Sequence, residues 1–373
     1  MQFIDLKAQY EVLKTEIDCR MNQVLQHGKY IGGPEVQELE KKLAAYLNVK
    51  HAVACGNGTD ALHMLYMAYG IGQGDAVFCP DVTFIASVEP ACMLGATPVF
   101  CDITEDTYNI SVESLERQVS AVQKEGKYRP KAVTAVDFLG NPADYERIEL
   151  LCKKYDMILI EDAAQGFGAN YHQKQCGAYG NAAVTSFFPA KPLGCYGDGG
   201  AIFTNEDKVK DFLESIRMHG KGTDKYDNVR IGLNSRLDTI QAAILAVKLT
   251  ALEGYELAAR RDVAENYDRR LEEIVSYQQI PLGYASSYAQ YSIILRNENE
   301  RDALQKHLYS QNIPTMIYYK KPMHKQTVYR NNKSIYRKLA VSDWLSESIL
   351  NLPMHPYMKA EDVERICRII SEF

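Results

Sequence analysis

From about residue 51 to about 220, short apolar runs alternate with stretches of helical periodicity, the mark of a parallel sheet covered by helices. His-Ala-Val-Ala-Cys (51–55) reads as a strand, and the helix after it carries Leu62, Leu65 and Met67 on its apolar face. Asp-Ala-Val-Phe-Cys (75–79) is strand-like. Met-Ile-Leu-Ile (157–160) shows no alternation, so the strand that ends in Glu161 and Asp162 is covered on both faces. Residues 206–218 read as a helix closed by His219, which would balance the helix dipole. After Asn234 the pattern changes. Residues 236–274 form one long helical stretch, with Ile240, Ala243, Ile244 and Leu249 on an apolar face. Strand-like 288–295, helix-like 300–311, strand-like 315–319 and a closing helix over 360–372 follow. The expected fold is α/β in two domains. A large one over 1–245 holds an N-terminal arm and a mostly parallel sheet, a small α+β one covers 246–373, and the long helix bridges them.

Lys191 stands in Ser-Phe-Phe-Pro-Ala-Lys-Pro-Leu-Gly (186–194), isolated among aromatics, proline and glycine. Taken alone, it reads most simply as a surface lysine with its stem laid on apolar neighbours. A crowded, partly apolar site would instead lower its pKa and free the amine to attack a carbonyl. The aldehyde such a lysine would hold is pyridoxal phosphate. That cofactor asks for an anion site, a carboxylate for its pyridinium nitrogen and a flat group against its ring. Gly-Asn-Gly-Thr (56–59), a glycine turn opening a helix, offers free N–H groups, the positive dipole end and the Thr59 hydroxyl. It reads equally as an ordinary turn capped by Asn57 or Thr59. Asp162 lies at the carboxyl end of its strand, where open α/β sheets bind ligands and a carboxylate needs a cation or donors. Its other reading is a cap for the segment that follows. Phe84 is a candidate for the flat group, or a core residue.

These segments, in this order, resemble the DegT/DnrJ/EryC1/StrS family of sugar aminotransferases over nearly the whole chain. The likeness starts at Phe-Ile-Asp-Leu (3–6) and Tyr-Ile-Gly-Gly-Pro-Glu-Val (30–36) and continues through Asn-Gly-Thr-Asp-Ala-Leu (57–62) and Glu-Asp-Ala-Ala-Gln (161–165). It includes the Lys191 segment, Gly-Asp-Gly-Gly-Ala (197–201) and Asn-Ser-Arg-Leu-Asp (234–238). The resemblance implies a fold type I, aspartate aminotransferase-like enzyme that binds pyridoxal 5'-phosphate and passes through pyridoxamine 5'-phosphate. Lys191 is then the Schiff-base lysine, Asp162 pairs with the pyridine nitrogen and Gln165 lies near the ring hydroxyl. Gly58, Thr59 and Ser186 bind the phosphate, Phe84 stacks on the ring, and Asn234 reaches the same phosphate from the other subunit of a homodimer. The implied donor is L-glutamate, and the acceptor is a nucleotide-linked keto sugar of amino-sugar or surface-polysaccharide synthesis.

Within the family, residues 186–205, Tyr-Ala-Gln-Tyr (288–291) and Leu-Pro-Met-His-Pro-Tyr (352–357) look most like members that aminate UDP-linked 3-oxo-N-acetylglucosaminuronic acid, in bacterial O-antigen (lipopolysaccharide) synthesis. Relatives usually carry His where this chain has Tyr318, and often Ser or Ala at Gly56. The first departure keeps a dTDP-linked 3- or 4-keto-6-deoxy sugar open as the acceptor. Arg236, Tyr318, Tyr319 and Lys320 are the candidate substrate contacts, since a guanidinium fork suits a carboxylate and the Lys320–Lys321 pair suits a diphosphate. Two other classes share the resemblance. A sugar dehydratase of this fold carries histidine in place of Lys191, and a non-catalytic cofactor-binding regulator calls for a DNA-binding appendage.

Composition narrows the field further. A chain of 373 residues with 46% hydrophobic content suits two cores better than one. Forty-eight acidic against 42 basic residues argue against a general nucleic-acid surface. Met-Gln-Phe-Ile-Asp-Leu-Lys carries charges where a signal peptide needs an apolar run, and no stretch approaches membrane-spanning length. The expectation is a cytoplasmic enzyme that meets neither nucleic acid nor membrane. Nine cysteines without a Cys-x-x-Cys pair read as reduced thiols, and no histidine has a partner at metal spacing, so no metal is expected.

Overall fold

The computed structural model describes residues 1–224, 226–331 and 338–373. Its centre is a seven-stranded sheet in the order His51–Cys55, Gly200–Thr204, Ala182–Ser186, Ile158–Asp162, Arg129–Val136, Asp75–Pro80, Thr97–Cys101. Neighbours pair in parallel except Gly200–Thr204, which runs against both strands beside it. The apolar, non-alternating strands are covered on both sides, as their composition requires. On one face Leu62 and Leu65 of the helix Gly58–Ala68, with Leu213 and Ile216 of Asp207–Ile216, pack on Val77, Ile160 and Ile202. On the other, Leu115 and Val119 of Val112–Glu125, with Ile148 and Leu151 of Tyr145–Tyr155, pack on Phe78, Val133 and Leu159. A mostly parallel sheet with helices on both faces is the α/β arrangement expected for the large domain.

The N-terminal arm is two helices. Leu6–His27 starts where the Asp5 carboxylate accepts the Ala8 N–H at 2.9 Å. Pro34–Leu47 begins with proline in its first turn and buries Leu39 and Leu43 against Ala54 and Phe203. C-terminal to the main sheet, Ser276–Tyr277, Tyr291–Ile294 and Ile349–Leu352 form a second, antiparallel sheet. Helices Leu257–Leu271, Glu298–Ser310 and Ala360–Ser371 share its apolar core.

Several sequence expectations change in the fold. The stretch 236–274 is not one regular helix. It starts at Thr239, because Asp238 is extended and bridges to Ile31, and it widens into a π-helical turn over Leu252–Glu256 before resuming. Glu256, at the end of that turn, is buried and accepts from Gln9 at 2.8 Å and Tyr357 at 2.6 Å. Residues 315–319 pair with the second sheet only once, at Met316 and Asn351. The Asn351 side chain then takes the Tyr318 N–H at 2.9 Å and ends the ladder. Of 288–295 only Tyr291–Ile294 is strand, since Tyr288 takes a left-handed φ of 44°. The helix expected over 206–218 stops at Ile216, so His219 lies beyond its end in a left-handed turn. Met67 is only half-buried, and Met64 and Tyr66 fill the core place expected for it.

All nine cysteines are free thiols, and all but Cys19 and Cys92 are buried. Among the described residues no helix is long and apolar enough to cross a membrane.

Candidate active site

The parallel strands His51–Cys55, Asp75–Pro80, Arg129–Val136, Ile158–Asp162 and Ala182–Ser186 all end at one edge of the sheet, and the loops that leave them line a cavity of about 630 Å³. Position at this edge follows from topology alone.

The loop after the first strand is held firmly. Ala54 gives its N–H to Glu40 at 2.9 Å and takes Arg217 on its carbonyl at 2.9 Å, and Arg217 and Glu40 close the ring at 2.6 Å. Gly56 N–H donates to Ser235 Oγ at 2.9 Å. Asn57, not Thr59, is the cap: its side chain accepts the Asp60 N–H at 2.7 Å. The first two helical amides, Gly58 and Thr59, have no partner among the described residues and face the cavity with the positive end of the helix dipole. Glycine is required at 58 because a Cβ there would stand 2.9 Å from Ser186 Cβ, and at 200 because one would stand 2.5 Å from the Asn57 carbonyl carbon. Gly58→Ala should therefore push the turn away from Ser186. The expected result is a loss of phosphate-anchored cofactor affinity of roughly tenfold and about 1–3 kcal/mol of stability, read by cofactor titration and thermal melting.

Asp162 is buried at the carboxyl end of its strand and takes two donors, Ser87 Oγ at 2.8 Å and the Ala164 N–H at 3.1 Å. Burial raises its pKa, and these donors together with Lys191 oppose the rise. The half-buried Lys191 faces the same cavity. Burial lowers its amine pKa, and Asp162 opposes that shift. The preceding residue, Glu161, points to the opposite face. It accepts the Gly177 and Tyr179 N–H groups at 2.7 and 2.6 Å and brings a carboxylate oxygen within 4.8 Å of Asp137 and the Cys176 thiol. Burial pushes Asp137 up to about 7, and Tyr145 OH donates to it at 2.6 Å.

Gln165 is locked by its amide oxygen, which accepts Leu139 N–H at 2.7 Å, and by its carbonyl, which accepts Ser287 Oγ at 2.6 Å. Phe84 lies on the cavity lining with half of its surface open, and its ring centre lies 6.4 Å from that of Tyr319. Tyr318 and Tyr319 close the cavity from the second sheet's side.

Thus Gly58, Thr59, Phe84, Asp162, Gln165, Ser186, Lys191, Tyr318 and Tyr319 come together from distant parts of the chain. Asn234, Arg236 and Lys320 do not line the cavity. Asn234 is exposed, Arg236 is half-buried next to the Ser235 that docks on the glycine turn, and Lys320 pairs with Glu298 and Asp302 at 3.4 and 3.5 Å. Cys55 and Cys195 are turned into the core on backbone carbonyls. Sequence reasoning missed Ser87, Thr83, Asp60, Asp198 and Gln290, which also line the cavity. Asp60, Asp198 and Gln290 lie within segments that carried the family likeness, whereas nothing local marks Ser87.

The donor set fits pyridoxal phosphate. Unpaired amides at a helix start suit its phosphate, a buried carboxylate kept in place by two donors suits a pyridinium N–H, and a lysine of lowered pKa suits its aldehyde. Comparison with known proteins agrees with this fit. UDP-2-acetamido-2-deoxy-3-oxo-D-glucuronate aminotransferase of Pseudomonas aeruginosa is 42% identical over 372 residues, covering 100% of this chain and 99% of that protein. The crystal structure of a DegT DnrJ EryC1 StrS aminotransferase from Brucella abortus is 48% identical, with a TM-score of 0.97 over 100% of this chain and 99% of that one. The S. venezuelae protein DesV, solved in complex with a ketimine intermediate, is 32% identical with a TM-score of 0.93 over 100% of this chain and 97% of that one. With the family model matching residues 11–371, the chain belongs to the DegT/DnrJ/EryC1/StrS aminotransferase family and is a pyridoxal-phosphate-dependent nucleotide-sugar aminotransferase.

Proposed function

We propose that the enzyme moves an amino group from L-glutamate to the 3-oxo carbon of a UDP-linked N-acetylhexosaminuronic acid, in the cytoplasm, for surface-polysaccharide synthesis. The observation that carries this reading is the meeting of Lys191 and Asp162 in one cavity, in a chain alike over its full length to the Pseudomonas aeruginosa enzyme named above.

Each residue has a task that its surroundings support. The Gly58 and Thr59 amides, with the Thr59 and Ser186 hydroxyls, hold the phosphate. Phe84 covers one face of the ring, and Gln165 meets the ring hydroxyl. Asp162 keeps a proton on the ring nitrogen. Bound there, pyridoxal phosphate supplies an electron sink at the amino carbon and, as pyridoxamine phosphate, carries the amino group between two half-reactions. Lys191 first holds the cofactor. Its free amine would then carry the proton between the donor's alpha carbon and the cofactor's C4′, a role that a depressed pKa favours near neutral pH. The same transfer runs in reverse on the sugar.

Electrostatics favour a site completed by a second copy of the chain. Among the described residues the cavity lining carries one cation, Lys191, against the carboxylates of Asp60, Asp162 and Asp198. A cofactor phosphate and a substrate diphosphate both need more positive charge than that. Asn234 and Arg236, set off this chain's own cavity, are the residues we assign to the partner's site in a homodimer. Lys320 is already matched by two carboxylates, so we assign it no substrate role ahead of Arg236.

The test is turnover of nucleotide sugars by the holoenzyme with glutamate, followed by mass spectrometry. The UDP-linked 3-oxo-uronate should be aminated faster than a dTDP-linked 3-keto-6-deoxy sugar, and Arg236→Lys should raise KM for the uronate more than for the neutral sugar. Preference of the wild type for the neutral sugar would favour the second acceptor class, to which the arginine-free lining is better suited.

A further inference from the structure

We propose that Ser87 is a positioning residue for Asp162, holding its carboxylate ionised and turned to the cavity through a hydroxyl whose own direction is set by Thr83. This rests on the assignment of Asp162 to the cofactor's ring nitrogen. Ser87 is 1% exposed and Thr83 4%, so both hydroxyls sit at the buried floor of the cavity with little access to solvent. Ser87 Oγ lies 2.8 Å from Asp162 Oδ2 and 2.8 Å from Thr83 Oγ1. A serine hydroxyl has a single proton. Given to the carboxylate, it leaves Thr83 as the donor to Ser87, and the hydroxyls run in one direction, Thr83 to Ser87 to Asp162.

The backbone of Ser87 is fixed as well. Tyr66 OH donates to its carbonyl at 2.6 Å and meets Thr134 Oγ1 at 2.7 Å. Ala164 N–H fills the other carboxylate oxygen, Oδ1, at 3.1 Å. Each oxygen therefore keeps a free lone pair, and a rotation of the carboxylate away from the cavity would break both bonds. Around Asp162 the facing cation is Lys191, and Tyr66 and Tyr319 are the other titratable groups whose charges act with its own. Burial alone would favour a neutral Asp162, and Ser87 is the strongest opposing contact. Without that hydroxyl, a proton shared between Asp162 and a ring nitrogen moves toward Asp162, and the ring loses the positive charge that makes it an electron sink.

The deciding measurement is the nitrogen-15 NMR signal of ring-labelled pyridoxal phosphate bound to the holoenzyme at neutral pH. Wild type should show a protonated ring. Ser87→Ala should shift the signal toward neutral pyridine and slow the glutamate half-reaction about 10- to 100-fold, the fold-change expected for losing a hydrogen bond to a charged group, with little change in KM. Ser87→Cys, similar in shape but a weaker donor, should shift it the same way by less, and it covers the case in which the alanine variant fails to fold. Either variant, folded and loaded, with an unchanged ring signal overturns the role of Ser87 alone. A wild-type ring that is unprotonated overturns the assignment of Asp162 and this proposal with it.

Discussion

Lys191→Ala is expected to fold as the wild type does and to lose transamination by about four orders of magnitude, because one amine serves both to hold the cofactor and to move the proton. Folding should survive, since the substitution removes a half-buried ammonium whose desolvation costs stability. No neighbour can stand in: Lys191 is the only lysine between Lys174 and Lys208. Borohydride treatment of the wild type should fix the cofactor to the peptide that contains Lys191. The pH dependence has a defined sign. Burial lowers the amine's pKa, so free amine, and with it the trap, should persist to lower pH than at an ordinary exposed lysine. A trap on any other lysine would remove the basis of the site as assigned.

Mixing two crippled proteins is expected to restore activity. Lys191→Ala keeps Asn234, and Asn234→Ala keeps Lys191. If Asn234 serves the partner's site, a mixed dimer holds one site with both native residues and one with neither. Random exchange of subunits at equal concentrations then returns about a quarter of wild-type turnover, from a start near zero for the lysine variant. The exposed position of Asn234, off the lining of its own chain's cavity, is the observation behind this expectation. Native mass spectrometry should first establish that exchange occurs. Exchange without recovered turnover, or an active wild-type monomer, would rule out the shared site.

Lys191, Asp162 and the Gly58 turn were legible in the sequence because their chemistry is local: a lysine among apolar neighbours, an acid closing an apolar strand, a glycine turn before a helix. Alternation of strands and helices likewise announced the main sheet. What escaped depends on distant partners. Ser87 lies 75 residues from the carboxylate it serves, in a segment where a serine is unremarkable. The π-helical turn at 252–256 leaves no periodic mark, since a single extra residue per turn is lost in a long amphipathic stretch. Residues 315–319 have strand composition, yet the Asn351 side chain intercepts the next donor and turns the chain. Asn234 could be named only from family likeness, because the role proposed for it toward a second subunit has no signature in one chain's periodicity.

The order of strands in the main sheet governs how this protein is born. The glycine turn leaves the ribosome early, but its shape depends on residues made much later: Gly200–Thr204 must insert beside His51–Cys55, and Ser235 must reach back 179 residues to Gly56. At about 5–20 residues per second, the wait is on the order of ten seconds or more. During synthesis the apolar edge of His51–Cys55 stands without its neighbour, open to non-native strand pairing. Cofactor capture is therefore a late event, and a stall before residue 235 yields a chain that exposes a sticky edge and has no finished cradle with which to bind its vitamin.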